Sequence, residues 1–228
     1  MLVTIDNLLD AAELAEVRRL LAAATWSSGL ATAGTQAAQV KNNQQLAEHA
    51  LQLPELRRLV LGALTRSAMF MTAALPLKIL PPFFNRYGDA TNSYGDHVDG
   101  AMRAVPGKQG EFVRADVSAT LFLSDPADYD GGELAIEDTF GRHLVKLAAG
   151  SLVLYPAASV HAVTPVTRGA RVACFLFLQS MVRDPGQRRL LYDMDMALLQ
   201  LRAAVGETAP VVALTGAYHN LLRRWADS

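Results

Sequence analysis

The chain is nearly without cysteine: Cys174 is its single thiol among 228 residues. One thiol makes neither an internal disulfide nor a thiolate zinc cluster, so any metal site here must be built from histidine and carboxylate. The low count also fits a reducing, cytoplasmic compartment. An excess of charge of either sign is missing too, since 21 Lys and Arg stand against 22 Asp and Glu, a formal net charge of -1. With no basic surplus to attract a polyanion, nucleic acid and anionic membrane surfaces are excluded as expected partners. No apolar run approaches the roughly 18 residues of a membrane span, and the N-terminal MLVTIDNLLD lacks the basic and apolar regions of a secretory signal. Internal repeats are absent as well. What the chain does have is apolar material, 51% of its residues, enough for a sizeable core and too much for intrinsic disorder.

The expected organisation is a strand-rich centre between two helical ends. DAAELAEVRRLLAAA sets Leu14, Val17 and Leu21 on one helical face, with Asp10 placed to cap the first turn. Residues 22 to 38, rich in Ala, Thr, Ser and Gly, read as a loop. A second helical region runs from Asn43 to Leu75 as two helices joined at Pro54, which suits the first residue of a helix. From Pro76 to about Met181 short apolar runs are cut by turn residues, as in LKIL, ADVSATLFLS, GSLVLYP and RVACFLFLQ. With DYDGG and TRG as turn signals, this spacing predicts antiparallel strands in a jelly roll. The fold class is therefore mainly β with flanking α. Residues 184 to 228 read as a C-terminal helical hairpin with Leu199, Leu201, Leu221, Leu222 and Trp225 as apolar anchors, packed on the core or at a homodimer interface. The expected division is one domain over 1–183, N-terminal helices plus jelly-roll core, and that hairpin over 184–228.

Of five histidines, His97 stands two residues before Asp99, so on an extended strand both side chains point to one side. His161 follows the apolar strand GSLVLYP, where a neighbouring antiparallel strand can present it beside the first two. Two neutral imidazoles and one carboxylate on one face leave open positions on an octahedral metal, the facial triad of non-haem Fe(II) oxygenases. Ten residues on, Arg171 heads an apolar strand. A guanidinium entering a core is costly unless it meets an anion, and its planar fork matches a carboxylate such as the distal one of 2-oxoglutarate. Taken singly, a histidine is more often a satisfied polar residue, Asp99 before Gly100 can start a turn, and Arg171 can make a plain strand-end ion pair. Their ordered conjunction within a jelly-roll pattern favours the site. His49, His143 and His219 have no such company, and Trp26 and Trp225 read as core anchors.

Sequence stretches along nearly the whole chain carry a family resemblance. They include GTQAAQVKNNQQ at 34 to 45, FNRY at 84 to 87, YGDHVDG at 94 to 100, SATLFLSDPADYDGGEL from Ser118 to Leu134, VHAVTPVTRGARVA, QSMVRD and YHNLLRRW. The chain resembles the bacterial PKHD-type hydroxylases, Fe(II)- and 2-oxoglutarate-dependent dioxygenases also called iron-uptake factors. The resemblance implies a double-stranded β-helix, iron on His97, Asp99 and His161, and 2-oxoglutarate on Arg171, with L-ascorbate as a secondary cofactor. Two departures are FLFLQS, where relatives carry a Trp, and Ala162, often polar in relatives. Both touch packing or substrate contacts rather than the four site residues.

The implied reaction takes Fe(2+), 2-oxoglutarate and O2, hydroxylates a small-molecule or peptide substrate and releases succinate and CO2. Tyr87 is the candidate for a 2-oxoglutarate hydrogen bond and Tyr94 for the substrate mouth, although both also suit plain strand aromatics. Residues 100 to 117 read as a polar flap, whose Arg103, Lys108 and Arg114 are either solvated or attract an anionic substrate. Two other readings use the same residues. A non-catalytic jelly-roll sensor would hold iron or 2-oxoglutarate without turnover, and a zinc hydrolase would need a base such as Glu133 or Glu137 and leave Arg171 unexplained.

Overall fold

The structure, a computed structural model, describes residues 1–32 and 34–227. A short strand, β1 (Val3–Ile5), leads into α1 (Ala11–Ala22). Glu13 N donates to Asp10 Oδ1 at 2.8 Å and Asp10 N to Glu13 Oε2 at 3.2 Å, closing a capping box where the sequence predicts a helix start.

The stretch 22 to 38 departs from the expected loop. It holds β2 (Trp26–Ser28), a 3-10 turn over Gly29–Thr32 and α2 (Ala37–Val40), while Ala33 lies outside the described residues. The helix expected from Asn43 is also absent. After β3 (Lys41–Asn42), its first part forms β4 (Gln44–Leu46), and only then do α3 (Leu53–Arg66) and α4 (Ala68–Ala74) follow. The break between helices falls at Ser67, whose hydroxyl accepts from Phe70 N at 3.2 Å, while Pro54 sits in the first turn of α3. Pairing explains the error: β2 lies on β4 with Trp26 opposite Leu46, a partnership between distant segments that local periodicity does not display.

The central strands run β5 (Pro76–Ile79), β6 (Phe83–Gly88), β7 (Ser93–His97), β8 (Met102–Ala104), β9 (Phe112–Arg114), β10 (Val117–Phe122), β11 (Tyr129–Gly131), β12 (Leu134–Asp138), β13 (Gly141–Val145), β14 (Leu152–Pro156), β15 (His161–Val163) and β16 (Val166–Ser180). One sheet has the order β1-β14-β10-β16-β6-β4-β2, with β5 and β11 also pairing β16, and the second has the order β13-β12-β15-β7-β3. This is the jelly roll that the short apolar runs and turn signals predict. Residues 100 to 117 hold a paired β8–β9 hairpin with Val113 buried, a more ordered piece than the expected flap. The turn before Arg171 also lies elsewhere than expected. β16 begins at Val166, and Gly169 sits inside it with φ +71°, where an added Cβ would stand 2.0 Å from the Asp128 carbonyl.

The C-terminal hairpin is formed by α5 (Pro185–Val205) and α6 (Ala209–Trp225). Leu191, Leu198, Val211 and Tyr218 cluster with Leu75 and Val182, with Leu201, Leu221, Leu222 and Trp225 at the margin. The hairpin therefore lies on the core beside α4, where Thr72 Oγ1 donates to Asp195. Leu199, expected as an anchor, is exposed, because one step around the helix from buried Leu198 faces solvent. Among the described residues no helix is long and apolar enough to cross a membrane.

Candidate functional site

β7 and β15 are antiparallel neighbours, and their register sets His161 directly opposite His97. Asp99 lies just past the end of β7. The two imidazole rings are 4.2 Å apart, and Asp99 Oδ2 is 3.6 Å from His161 Nε2. One donor atom from each residue falls within 4.8 Å of the others. Ligands at right angles on bonds of roughly 2.1 Å stand about 3 Å apart, so small side-chain adjustments suffice to share one ion.

The tautomers are set from behind. His97 Nδ1 donates to the Gly95 carbonyl at 2.8 Å and His161 Nδ1 to the Ser159 carbonyl at 3.0 Å. A carbonyl only accepts, so each Nδ1 carries the proton and each Nε2 keeps its lone pair for a metal. Asp99 Oδ2 accepts from Ser118 Oγ at 2.6 Å, which holds the carboxylate in place. Burial, followed by the charge of His161, pulls the His97 pKa down to about 4, so its ring is neutral at ordinary pH. Tyr94 stacks on His97 with ring centres 3.6 Å apart, and Tyr155 meets His161 edge-on at 5.1 Å. Burial pushes both phenol pKa values up, so both hydroxyls keep their protons.

The same cavity, about 310 Å³, reaches Arg171. Arg171 pairs with Tyr87 across β16 and β6 and is 1% exposed. Its Nε and both terminal nitrogens have no hydrogen-bond partner among the described residues. The guanidinium carbon stands 5.3 Å from the Tyr87 ring centre and 5.2 Å from that of Phe122. A buried cation walled by aromatics needs an anion to satisfy its fork. Near it, Asn85 Nδ2 donates to the Tyr87 hydroxyl at 3.3 Å, while Asn85 Oδ1 and both polar atoms of the Asn43 amide are buried without partners. Burial pushes the Tyr87 pKa up, with Arg171 acting in the opposite sense. The orphaned donors among these groups, the Arg171 fork and Asn43 Nδ2, fit a dicarboxylate, which only accepts, and the nearby two-imidazole, one-carboxylate set fits a ferrous ion.

Room for the guanidinium comes from Gly132, at φ +67°: an added Cβ would lie 3.1 Å from Arg171 Cδ and 2.9 Å from both Tyr129 Cε2 and Val166 Cγ2. Neither Glu133 nor Glu137, the bases a zinc hydrolase would need, lines the cavity among the described residues. Glu133 instead accepts from Thr164 Oγ1, and Arg142 donates to Glu137 at 3.4 Å. His49, His143 and His219 are exposed and apart from the site. Of the flap cations, Arg103 lines the cavity, whereas Lys108 pairs with Glu111 and Arg114 with Asp116. Sequence reasoning missed Ser118, Tyr155, Asn85 and the rank Lys41, Asn43 and Gln45. That rank had a local signal: three polar residues at alternate positions, all turned inward and buried.

Comparison with known proteins agrees with this geometry. Residues 82–179 match the 2OG-Fe(II) oxygenase superfamily, and residues 185–227 match the PKHD-type hydroxylase C-terminal domain. A PKHD-type hydroxylase of Nitrosomonas europaea is 68% identical over 228 residues, covering all of both chains. One from an Azoarcus species is 64% identical over 229 residues with the same full coverage. Among solved structures, a Pseudomonas putida prolyl-4-hydroxylase superposes with TM-score 0.51 at 21% identity, over 78% of this chain and 92% of that one. A prolyl hydroxylase of Trichoplax adhaerens gives TM-score 0.55 at 16% identity, over 83% and 86%. Those two likenesses concern the fold alone. The full-length identities and the superfamily match place the chain in the PKHD-type hydroxylase family of Fe(II)- and 2-oxoglutarate-dependent dioxygenases.

Proposed function

We propose that this protein hydroxylates a small-molecule or peptide substrate at a ferrous ion held by His97, Asp99 and His161, with 2-oxoglutarate anchored by Arg171 and Tyr87. The observation that carries the reading is the fully buried Arg171 fork without a protein acceptor, in the same cavity as three convergent metal-type donors. When bound, iron with 2-oxoglutarate and O2 supplies oxidative decarboxylation to succinate and CO2 together with oxidation of a substrate C–H bond.

The chain's own part is positioning. His97 and His161 offer Nε2 lone pairs because Gly95 and Ser159 hold the opposite nitrogens protonated. Ser118 orients Asp99 by donating to Oδ2, the oxygen that stands 3.6 Å from His161 Nε2, and so holds the carboxylate beside the imidazoles. Arg171 receives the distal carboxylate, and the Tyr87 hydroxyl, kept protonated by burial, donates beside it. Tyr87 and Phe122 exclude water from the Arg171 end of the site, and Tyr155 packs against His161. Tyr94 covers one face of His97 and forms part of the substrate approach.

The same reading includes a cytoplasmic setting, a link to iron or siderophore uptake, and ascorbate as reductant of the iron after uncoupled turnover. It keeps residues 1–183 as the oxygenase unit and 184–228 as an appended hairpin, with homodimerisation through that hairpin checked by light scattering. The primary test is product formation. Anaerobically iron-loaded protein given 2-oxoglutarate and then oxygen should release succinate even without its substrate. Absence of succinate would reduce the site to a binding module.

A further inference from the structure

Asn43 stands at the junction of β3 and β4, is 4% exposed, and lines the cavity that holds the metal donors and Arg171. Both polar atoms of its amide are buried without a partner among the described residues. An unpaired buried amide is destabilising, and on the wall of a ligand cavity its natural partner is the ligand.

The two ends of this amide face different ways. The Asn43 carbonyl of the main chain accepts from Gly29 N at 3.0 Å, which ties the β3–β4 junction to the 3-10 turn. A Cβ added at Gly29 would fall 1.9 Å from Asn43 Oδ1 and 3.1 Å from its Cγ, so the oxygen end lies against the Gly29 backbone, where a glycine leaves it room. The nitrogen end faces Tyr87. Arg171 and then Asn43 oppose the upward push of burial on the Tyr87 pKa, and a neutral amide lowers a phenol pKa only from its N–H side. Asn85 Nδ2 donates to the Tyr87 oxygen at 3.3 Å, so the phenol keeps its own proton for an acceptor in the cavity. Tyr87 in turn is paired with Arg171 across β6 and β16, with the guanidinium carbon 5.3 Å from its ring centre. Asn43 Nδ2, the Tyr87 hydroxyl and the Arg171 fork thus gather at one end of the cavity, all of them donors.

We propose that Asn43 binds the cosubstrate directly: its Nδ2 donates to the distal carboxylate of 2-oxoglutarate beside Arg171 and Tyr87, and Gly29 keeps the amide turned that way. This inference rests on the dioxygenase reading above. A carboxylate offers about four acceptor positions, and a bidentate guanidinium takes two, which leaves places for the phenol and the amide. Asn43 thereby makes the site select a keto acid that carries a second carboxylate. Changing the amide to a carboxylate of the same shape turns the donor into a charged acceptor facing another, so a binding role and a packing role give different results.

The test uses full-length protein loaded with Mn(II), titrated calorimetrically with 2-oxoglutarate and with oxalate, which chelates a metal as a keto acid does but is too short to reach the distal subsite. In Asn43→Leu the 2-oxoglutarate Kd should rise by about ten-fold and in Asn43→Asp by about 30-fold, whereas the oxalate Kd moves by less than about three-fold in both. Gly29→Ala leaves residue 43 in place and displaces only its amide. It should raise the 2-oxoglutarate Kd by about five-fold and spare oxalate, and it carries the test if the Asn43 variants fail to fold. An unchanged 2-oxoglutarate Kd in the folded variants overturns the proposal. So does an equal loss on both ligands, which would make Asn43 a packing residue. Wild-type protein that binds oxalate but not 2-oxoglutarate overturns the dioxygenase reading and the proposal together. Succinate formation by the Fe(II) protein in air is scored separately. Selective loss of 2-oxoglutarate in the variants without succinate from the wild type removes the oxygenase reading and keeps the Asn43 contact, and succinate with variants that bind normally does the reverse.

Discussion

Arg171 makes the sharpest demand of any single residue, because three buried nitrogens look for an acceptor that the chain does not provide. Replacing it with Leu removes charge-assisted hydrogen bonds, and the 2-oxoglutarate Kd should rise by about 100-fold while the iron content stays at the wild-type level. Calorimetry with metal analysis checks both halves. Ser118 acts one step further back: Ser118→Ala removes the bond to Asp99 and should weaken iron affinity by about ten-fold, seen in competition with a chelator. His97 gives a pH dependence with a definite sign. Its folded pKa is lowered from 6.5 to about 4, so between those values the unfolded chain binds more protons and stability falls as pH falls. Metal-free protein should therefore lose on the order of 2 kcal/mol from this residue between pH 7 and pH 5, and a His97→Gln variant should lack that increment in denaturant titrations. These residues were legible to different degrees. His97, Asp99, His161 and Arg171 announce themselves by type and order, whereas Ser118 and Asn85 are ordinary polar residues whose importance appears only when β10 and β6 deliver them to the cavity.

At the scale of elements, the strands that read as short apolar runs between turn residues, such as Val117–Phe122 and Leu152–Pro156, lie where the sequence predicts. The failures are β2, β3 and β4. Their segments look helical or irregular, and they become strands because β7 pairs with β3, β6 with β4, and β4 in turn with β2. The glycine pair in DYDGG is legible as a turn, but its second member also clears space for the guanidinium. Gly132→Ala places a Cβ among Tyr129, Val166 and Arg171 at positive φ, so 2-oxoglutarate affinity should fall by about ten-fold and Tm by several degrees. Retained affinity would show that Arg171 does not depend on this packing. The helical hairpin responds differently. Leu198→Ala opens a void between α5 and its neighbours and should cost about 2–4 kcal/mol in chemical denaturation, with the 2-oxoglutarate Kd unchanged.

For the whole molecule, the two sheets make one device out of segments far apart in the chain. The smaller sheet brings His97 and His161 together through β7 and β15, and the larger sheet holds Arg171 and Tyr87 on β16 and β6. Sequence order alone suggests that these residues belong together, but only the register shows how β7 meets β15 and how Lys41, between the expected loop and the expected helix, enters the same cavity. In the proposed reaction His97, Asp99 and His161 share one metal ion while Arg171 holds the cosubstrate, and a crystal structure of the protein with Mn(II) and a non-reactive 2-oxoglutarate analogue decides between this arrangement and any other. One metal peak should lie about 2.2 Å from His97 Nε2, His161 Nε2 and an Asp99 oxygen, with the distal carboxylate of the analogue against the Arg171 fork. A metal bound elsewhere, or an analogue whose carboxylate leaves Arg171 untouched, would contradict it.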